Sequence, residues 1–166
     1  DFYRGVAMSS DVYFYYLAGG YYENGKEVFQ GLGATNLARW ARKFGLGAPT
    51  GIDLPGETSG IVPDPAWKEK AIGEPWVLGD TYNFGIGQGF VATTPIQMVR
   101  VTAAIANGGD VLVPHVVRDI RDSSGKVLSG AHRVVQQNLN VDPRNFNVLR
   151  TDRVEASKCS QQCRLA

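Results

Sequence analysis

Leu37, Trp40, Ala41 and Phe44 recur at i, i+3, i+4 and i+7, the spacing of one apolar helix face. Arg39, Arg42 and Lys43 take the opposite side, and Gly45 and Gly47 stop the run, so a helix is predicted over Leu37–Phe44. Upstream, Val12 to Ala18 is a block of aliphatic and aromatic positions that predicts a short helix. Ser10 or Asp11 serves as its N-cap, and Gly19-Gly20 ends it. A third helix opens at Thr94, with Pro95 at the first helical position and Gln97 placed to complete a capping box. It runs to about Ala106 and closes at Asn107-Gly108-Gly109. Ile96, Val99 and Ala103 share one face while Met98, Val101 and Ile105 lie on others; apolar residues nearly all round predict a buried helix.

The period then shortens. Val111 to Arg121 is Val-rich and β-like, "DSSGK" (Asp122–Lys126) makes a turn, and Val127-Leu128 begins a return strand. Asp142 and Pro143 start a further helix that turns Phe146 and Leu149 inward. The Gly-, Pro-, Asp- and Thr-rich "TGIDLPGETSGIVPDPAW" reads as an extended loop anchored by Ile52, Leu54, Ile61 and Val62. Helices combined with a late hairpin indicate an α/β or α+β fold.

Composition narrows the field. The chain has 166 residues, 43% hydrophobic and 20% charged, which suits one domain with a core and excludes a disordered polymer. A net charge of +1 without a basic stripe argues against nucleic acid as a partner. No apolar run approaches the roughly 20 residues of a membrane span, and no signal-like segment opens the chain. It begins with Asp1 rather than Met, so the expectation is a processed or excised piece. Cys159 and Cys163 stand without a nearby His and are expected to be plain tail thiols, with a disulfide conceivable only in an oxidising compartment. Neither a metal nor a cofactor is expected.

Four motifs carry candidate chemistry. "GIGQG" (Gly85–Gly89) suggests a nucleotide loop, but the third glycine of the dinucleotide fingerprint is replaced by Phe90, and no Lys follows as in a phosphate loop. Structural glycine in a close approach to a helix is the better reading. "SSGK" (Ser123–Lys126) matches the Ser-x-x-Lys of acyl-transferring serine enzymes. That chemistry needs Ser and Lys one helical turn apart, whereas Gly125 and the β pattern make a hairpin turn here. His115 and His132 fall in no triad pattern and read as surface or strand residues. Ser9-Ser10-Asp11 remains, and composition alone makes it a helix cap.

The order of segments adds to this. "SSDVYFY", "LARWARKFGLGAPTGIDLPGETSGIVPDPAWK", "GDTYNFGIGQGFVATTPIQMVRVTAAIANGG" and "VPHVVRDI" follow one another. Together they resemble the transpeptidase domain of class B penicillin-binding proteins, of the elongation-specific penicillin-binding protein 2 type, from about residue 5 to about residue 150. The resemblance implies a partial β-lactamase/transpeptidase-like fold: mostly its helical part plus a few antiparallel strands. Residues 1–166 would be one partial domain, with 151–166 a poorly ordered tail. It implies a membrane-anchored parent on the outward face of the cell membrane that crosslinks peptidoglycan stem peptides through an acyl-serine, binds β-lactam antibiotics, and works beside a cell-wall polymerase.

Such enzymes carry three motifs: Ser-x-x-Lys with the nucleophile, Ser-x-Asn or Ser-x-Asp, and Lys-Ser/Thr-Gly. Only the second is matched in a fitting place, as Ser9-Ser10-Asp11. The first would lie upstream of Asp1 and the third beyond Ala166. By the resemblance Ser9 is catalytic and relays a proton to the leaving amine; Asp11 points into the same cleft and holds the motif lysine and the substrate backbone. Ser10, at the variable position, serves the cap, and Val12–Tyr16 locks the turn. A slice without the nucleophile is expected to be inactive alone. Two alternatives stay open: a non-enzymatic penicillin-recognising sensor or scaffold of the same fold, and an interaction domain with chance motifs.

Overall fold

A computed structural model describes residues 2–150. Its elements in chain order are α1 (Phe2–Ala7), α2 (Asp11–Gly19), β1 (Tyr21–Glu23), β2 (Lys26–Phe29), α3 (Gly33–Lys43), α4 (Pro65–Ile72), α5 (Leu78–Gly85), α6 (Pro95–Asn107), β3 (Asp110–Leu112), β4 (Asp119–Arg121), β5 (Val127–Gly130) and β6 (Val135–Asn138). Residues 143–150 are helical as well and form α7. The mixture of helices and short antiparallel strands is the fold class that the sequence indicates. The tail from 151 onward, with Cys159 and Cys163, lies outside the described residues.

Capping chemistry sets most of the helix starts. Ser10 caps α2, its hydroxyl accepting the Tyr13 N–H at 3.4 Å. At α6 both halves of the capping box form: Gln97 N–H donates to the Thr94 hydroxyl (3.3 Å), and Thr94 N–H donates to the Gln97 side-chain oxygen (2.9 Å). Asp64 caps α4 by accepting the Trp67 N–H at 2.8 Å, with Pro65 in the first turn, and Gly73 closes it in the left-handed region (φ 81°). Helix α4 starts inside the stretch read as loop, and α5 lies in a stretch to which the sequence reading assigns no element. They are short, and only the Asp-Pro start and the Gly73 stop announce α4.

The β1–β2 hairpin is likewise beyond the sequence expectations. It turns on Asn24-Gly25, both at positive φ (51° and 75°), as a two-residue turn between twisted strands requires. The predicted late hairpin does form, but in two pairs set in line. β3 pairs with β6 and β4 with β5. Val113 N–H donates to Val134 O (3.0 Å) and Ala131 N–H to Arg118 O (2.7 Å), so the pairs continue one another as a single ribbon with a gap between. Pro114 lacks an N–H, and the Val116 and Val117 N–H groups leave the ladder to meet the Asp53 carboxylate at 2.7 and 2.9 Å.

A contiguous buried apolar core is formed by Ala104, Val111, Leu139 and Phe146, with Phe44, Ile105 and Val141 against it. It joins α6, β3 and α7, and it contains the predicted Phe146. The buried face of α6, however, is not the apolar one. Gln97, Arg100 and Ala104 are buried, while Met98 is 46% and Val99 60% exposed. Tertiary hydrogen bonding explains the inversion. Gln97 Nε2 donates to Ala48 O (2.9 Å) and Ser59 O (2.8 Å), so a polar residue turns inward to satisfy the carbonyls of the long loop. Of that loop's four predicted anchors only Val62 is buried; Leu54 and Ile61 are exposed and Ile52 is half-buried.

Candidate functional site

The Ser9-Ser10-Asp11 triplet forms the elbow between α1 and α2. Ser9 N–H donates to Val6 O (3.1 Å) and Ser10 N–H to Gly5 O (2.9 Å), the paired bonds of a Schellman stop. Ser9 therefore holds the left-handed position (φ 49°) where glycine is usual. The next residue is the α2 cap, so a single turn both ends one helix and starts the other. Ser9 and Asp11 are exposed, and Ser10 is half-buried. A hollow of about 210 Å³ sits against the elbow, lined by Arg4, Gly5, Met8, Ser10 and Tyr13. Of the triplet it is Ser10 that lines this hollow; Ser9 and Asp11 face outward. Gly5 is required there, since a Cβ would stand 2.5 Å from the Tyr13 ring.

Helix α5 braces α2 from behind. The Tyr82 ring lies 5.7 Å from that of Tyr15, and its hydroxyl donates to Gly20 O at 3.3 Å. Gly19 passes under the Tyr82 ring, and Gly85 passes against Ala18, each too closely for a side chain. This gives the "GIGQG" stretch its role. Gly85 permits a close helix approach, as the sequence reading expects, although the helix it approaches is α2.

Behind α5 lies a buried ion pair that the sequence reading does not single out. Lys68 is 4% exposed; its Nζ meets Asp80 Oδ2 at 2.8 Å and stands 5.5 Å from the centre of the Phe90 ring. Glu74 reaches the same ammonium at 3.7 Å. Burial raises the Asp80 carboxyl, but the Lys68 hydrogen bond and the Val77 N–H (2.9 Å) outweigh it and hold the group below its ordinary value.

The loop after α3 is held by two further carboxylates. Glu57 accepts the Thr50 hydroxyl at 2.5 Å, the Thr50 N–H at 2.8 Å and the Gly51 N–H at 2.9 Å. These bonds, the Thr50 hydroxyl first, keep its carboxyl below the usual range. The Val117 and Val116 N–H groups do the same for Asp53. Arg100, 4% exposed, donates to the Gln136 side chain, while its Nε and Nη1 find no hydrogen-bond partner among the described residues. Burial lowers its proton affinity and the nearby Glu57 charge opposes that.

A second hollow, about 300 Å³, opens at the gap in the ribbon, with His115, His132, Asp53, Val117, Ile120 and Val134 on its walls. Both histidines are exposed, as the sequence predicts. Among the described residues no group of three or more His, Cys, Asp or Glu could hold a metal ion. Ser123–Lys126 lies in the β4–β5 turn, where the Asp122 carboxylate accepts the Ser124 N–H and hydroxyl and the Lys126 N–H. It is no catalytic pair. Among the described residues no helix is long and apolar enough to cross a membrane.

Comparison with known proteins places the chain in a family. The family model for the penicillin binding protein transpeptidase domain matches residues 1–159. Peptidoglycan D,D-transpeptidase MrdA of Haemophilus influenzae is 38% identical over 120 residues, which are 72% of this chain and 17% of that protein. The structure of penicillin-binding protein 2 from Helicobacter pylori superposes with a TM-score of 0.73 at 30% identity, over 93% of this chain and 25% of that one. A chain from a peptidoglycan synthase complex that coordinates polymerization and crosslinking superposes at 0.63 with 29% identity, over 87% of this chain and 22% of its own. The chain thus spans about a sixth of the length of the curated relative.

Proposed function

The chain belongs to the penicillin-binding protein transpeptidase domain family, as a partial domain of the penicillin-binding protein 2 type, and from that premise we propose that it supplies one wall of a D,D-transpeptidase active site. The observation that carries the reading is the Ser9-Ser10-Asp11 elbow, a polar triplet on a left-handed turn at the head of a braced helix. Backbone held in a sparsely populated region is a recurrent mark of functional sites.

In this reading a serine hydroxyl supplied by the rest of the protein attacks the carbonyl of the penultimate D-alanine of a stem peptide. The C–N bond to the terminal D-alanine breaks, leaving an ester on the serine, and the hydroxyl proton ends on the departing amine. Ser9, exposed at the elbow, relays that proton. Asp11, one helical residue beyond the cap, accepts from the motif lysine and the substrate backbone; an ionised carboxylate can only accept. The amine of a second stem peptide then attacks the ester, forms the crosslink and returns the serine hydroxyl. A β-lactam enters by the same first step and stays as the ester.

The substrates are therefore peptidoglycan stem peptides, the place of work the outward face of the cell membrane, and the natural partner a glycan-polymerising enzyme. The synthase complex among the structural relatives supports that partnership. The 166 residues contain no Lys-Ser-Gly or Lys-Thr-Gly, and their Ser-x-x-Lys is the hairpin turn, so this stretch on its own takes up no penicillin covalently. The test is labelled β-lactam uptake by the full-length protein. Ser9→Ala should slow acylation by roughly 10²–10⁴, the usual worth of general acid–base assistance. Unchanged acylation in that variant, or a stable adduct on the 166-residue stretch, overturns the assignment. Uptake without any crosslinked product from stem peptides would transfer the site to a sensor or scaffold.

A further inference from the structure

Lys68 and Asp80 are an expensive way to join α4 to α5. Removing an ammonium and a carboxylate from water costs several kcal/mol each, and an apolar pair of the same volume often does as well. What an ion pair adds is one register. Asp80 Oδ2 takes Lys68 Nζ at 2.8 Å and the Val77 N–H at 2.9 Å, so a single oxygen sets both the first turn of α5 and its distance from α4. Phe90 roofs the ammonium, and Trp67 packs on Phe90 with ring centres 5.6 Å apart. One residue beyond Asp80, Thr81 is buried and accepts Trp76 Nε1–H at 2.8 Å. The start of α5 is thus fixed at three neighbouring points.

From there the path to the elbow is short and made of contacts. Tyr82 follows Thr81, lies over Gly19 and against Tyr15, and bonds Gly20 O. Gly85 seats Ala18 and stands near Phe14 O. Helix α2 packs chiefly on these groups, with α3 and Tyr21 as lesser supports, and Ser10 caps its start with Ser9 just before. A shift of α5 moves α2, and with it the triplet.

We propose that Lys68 and Asp80 are a positioning pair for the transpeptidase elbow: the pair holds α5 in the one register that sets Ser9 and Asp11 against the incoming acyl group. This rests on the reading of Ser9 given above. Misplacement by about 1 Å far from the chemistry can cost about a hundredfold in rate; a partial loosening is expected to cost about tenfold.

The experiment uses the full-length protein and a fluorescent β-lactam, far below each variant's melting point, and separates the saturating acylation rate from the concentration giving half of it. Lys68→Met/Asp80→Asn removes both charges, keeps an oxygen for the Val77 N–H and preserves volume. It should melt within a few degrees of the parent and acylate about tenfold more slowly, with half-saturation unchanged. Should that double variant not fold, Lys68→Gln, which retains a hydrogen bond to Asp80, carries the test with about a threefold slowing. A rate within twofold of the parent in whichever variant is measured overturns the proposal, as does a slowing matched by a lower folded fraction. Ser9→Ala, run beside them, separates the two claims. If it slows acylation while the pair variants do not, positioning fails and the reading of Ser9 stands; if it leaves acylation unchanged, that reading falls first.

Discussion

Gly85 packs so closely on Ala18 that a Cβ on Gly85 would overlap the Cβ of Ala18 and come within 3.2 Å of Phe14 O. Gly85→Ala is therefore expected to destabilise the protein by about 1–3 kcal/mol through overpacking, despite the better helix propensity of alanine. Gly79→Ala in the same helix meets nothing within 4 Å and should be neutral or gain up to about 1 kcal/mol. Urea midpoints of the two variants, compared at constant slope, check the contrast.

Ser9 offers a separation of stability from activity. Its φ of 49° suits glycine, so Ser9→Gly should stabilise the elbow by about 1 kcal/mol while lowering acylation by roughly 10²–10⁴. Ser9→Ala should share the loss of rate without the gain in stability. If Ser9→Gly melts at or below the parent temperature, the turn is not under the strain described.

The Gln97 amide serves two carbonyls of the long loop, 49 and 38 residues away in the chain. Gln97→Leu orphans Ala48 O and Ser59 O and should cost about 1–3 kcal/mol. Gln97→Glu should cost more, since a carboxylate would then face two carbonyl oxygens. Thermal denaturation of the two variants at pH 7 orders them; a Glu variant more stable than the Leu variant would refute the donor assignment.

Hydrogen bonds and charges hold the Asp53, Glu57, Asp64 and Asp80 carboxyls below their ordinary values. For Asp53 and Glu57 the leading causes are the Val117 N–H and the Thr50 hydroxyl. A carboxyl that is more acidic when folded adds stability above its unfolded value, about 3.9 for Asp and 4.3 for Glu, and loses it as pH falls through the folded value. Stability should stay level from pH 7 to about 5 and drop below about 4.5. Asp53→Asn should be weaker at pH 7 and show a shallower acid limb. Urea midpoints at intervals from pH 7 to 3 read both features, and a parent curve flat to pH 3 would contradict the bonding described.

Much of this was legible in residue order. Thr94, Pro95 and Gln97 announce the start of α6, Gly19-Gly20 the end of α2, and "DSSGK" the hairpin turn, since each acts on backbone a few residues away. Asn24-Gly25 is an equally local signal for β1–β2, hidden because Tyr21–Phe29 is too short to show a clear alternation. The wrong face of α6 has another origin. Apolar period alone sends Val99 inward, whereas Gln97 and Arg100 are buried by partners on distant loops and strands. Lys68 and Asp80 were out of reach for the same reason: nothing within three or four residues of either reveals the other. The triplet stood out by residue type and by resemblance, but its left-handed serine did not, because any Ser-Ser-Asp can cap a helix.

The two carboxylates of the Thr50–Glu57 loop differ in when they can act during synthesis. Glu57 bonds partners six and seven residues behind it, so its clamp can close as soon as the loop emerges. Asp53 must wait for Val116, 63 residues later. At 5–20 residues per second that is a delay of roughly 3–13 s, during which the second anchor has no partner. The local clamp of this loop thus precedes in the chain the two long-range supports, Gln97 and the ribbon, that complete its fixing.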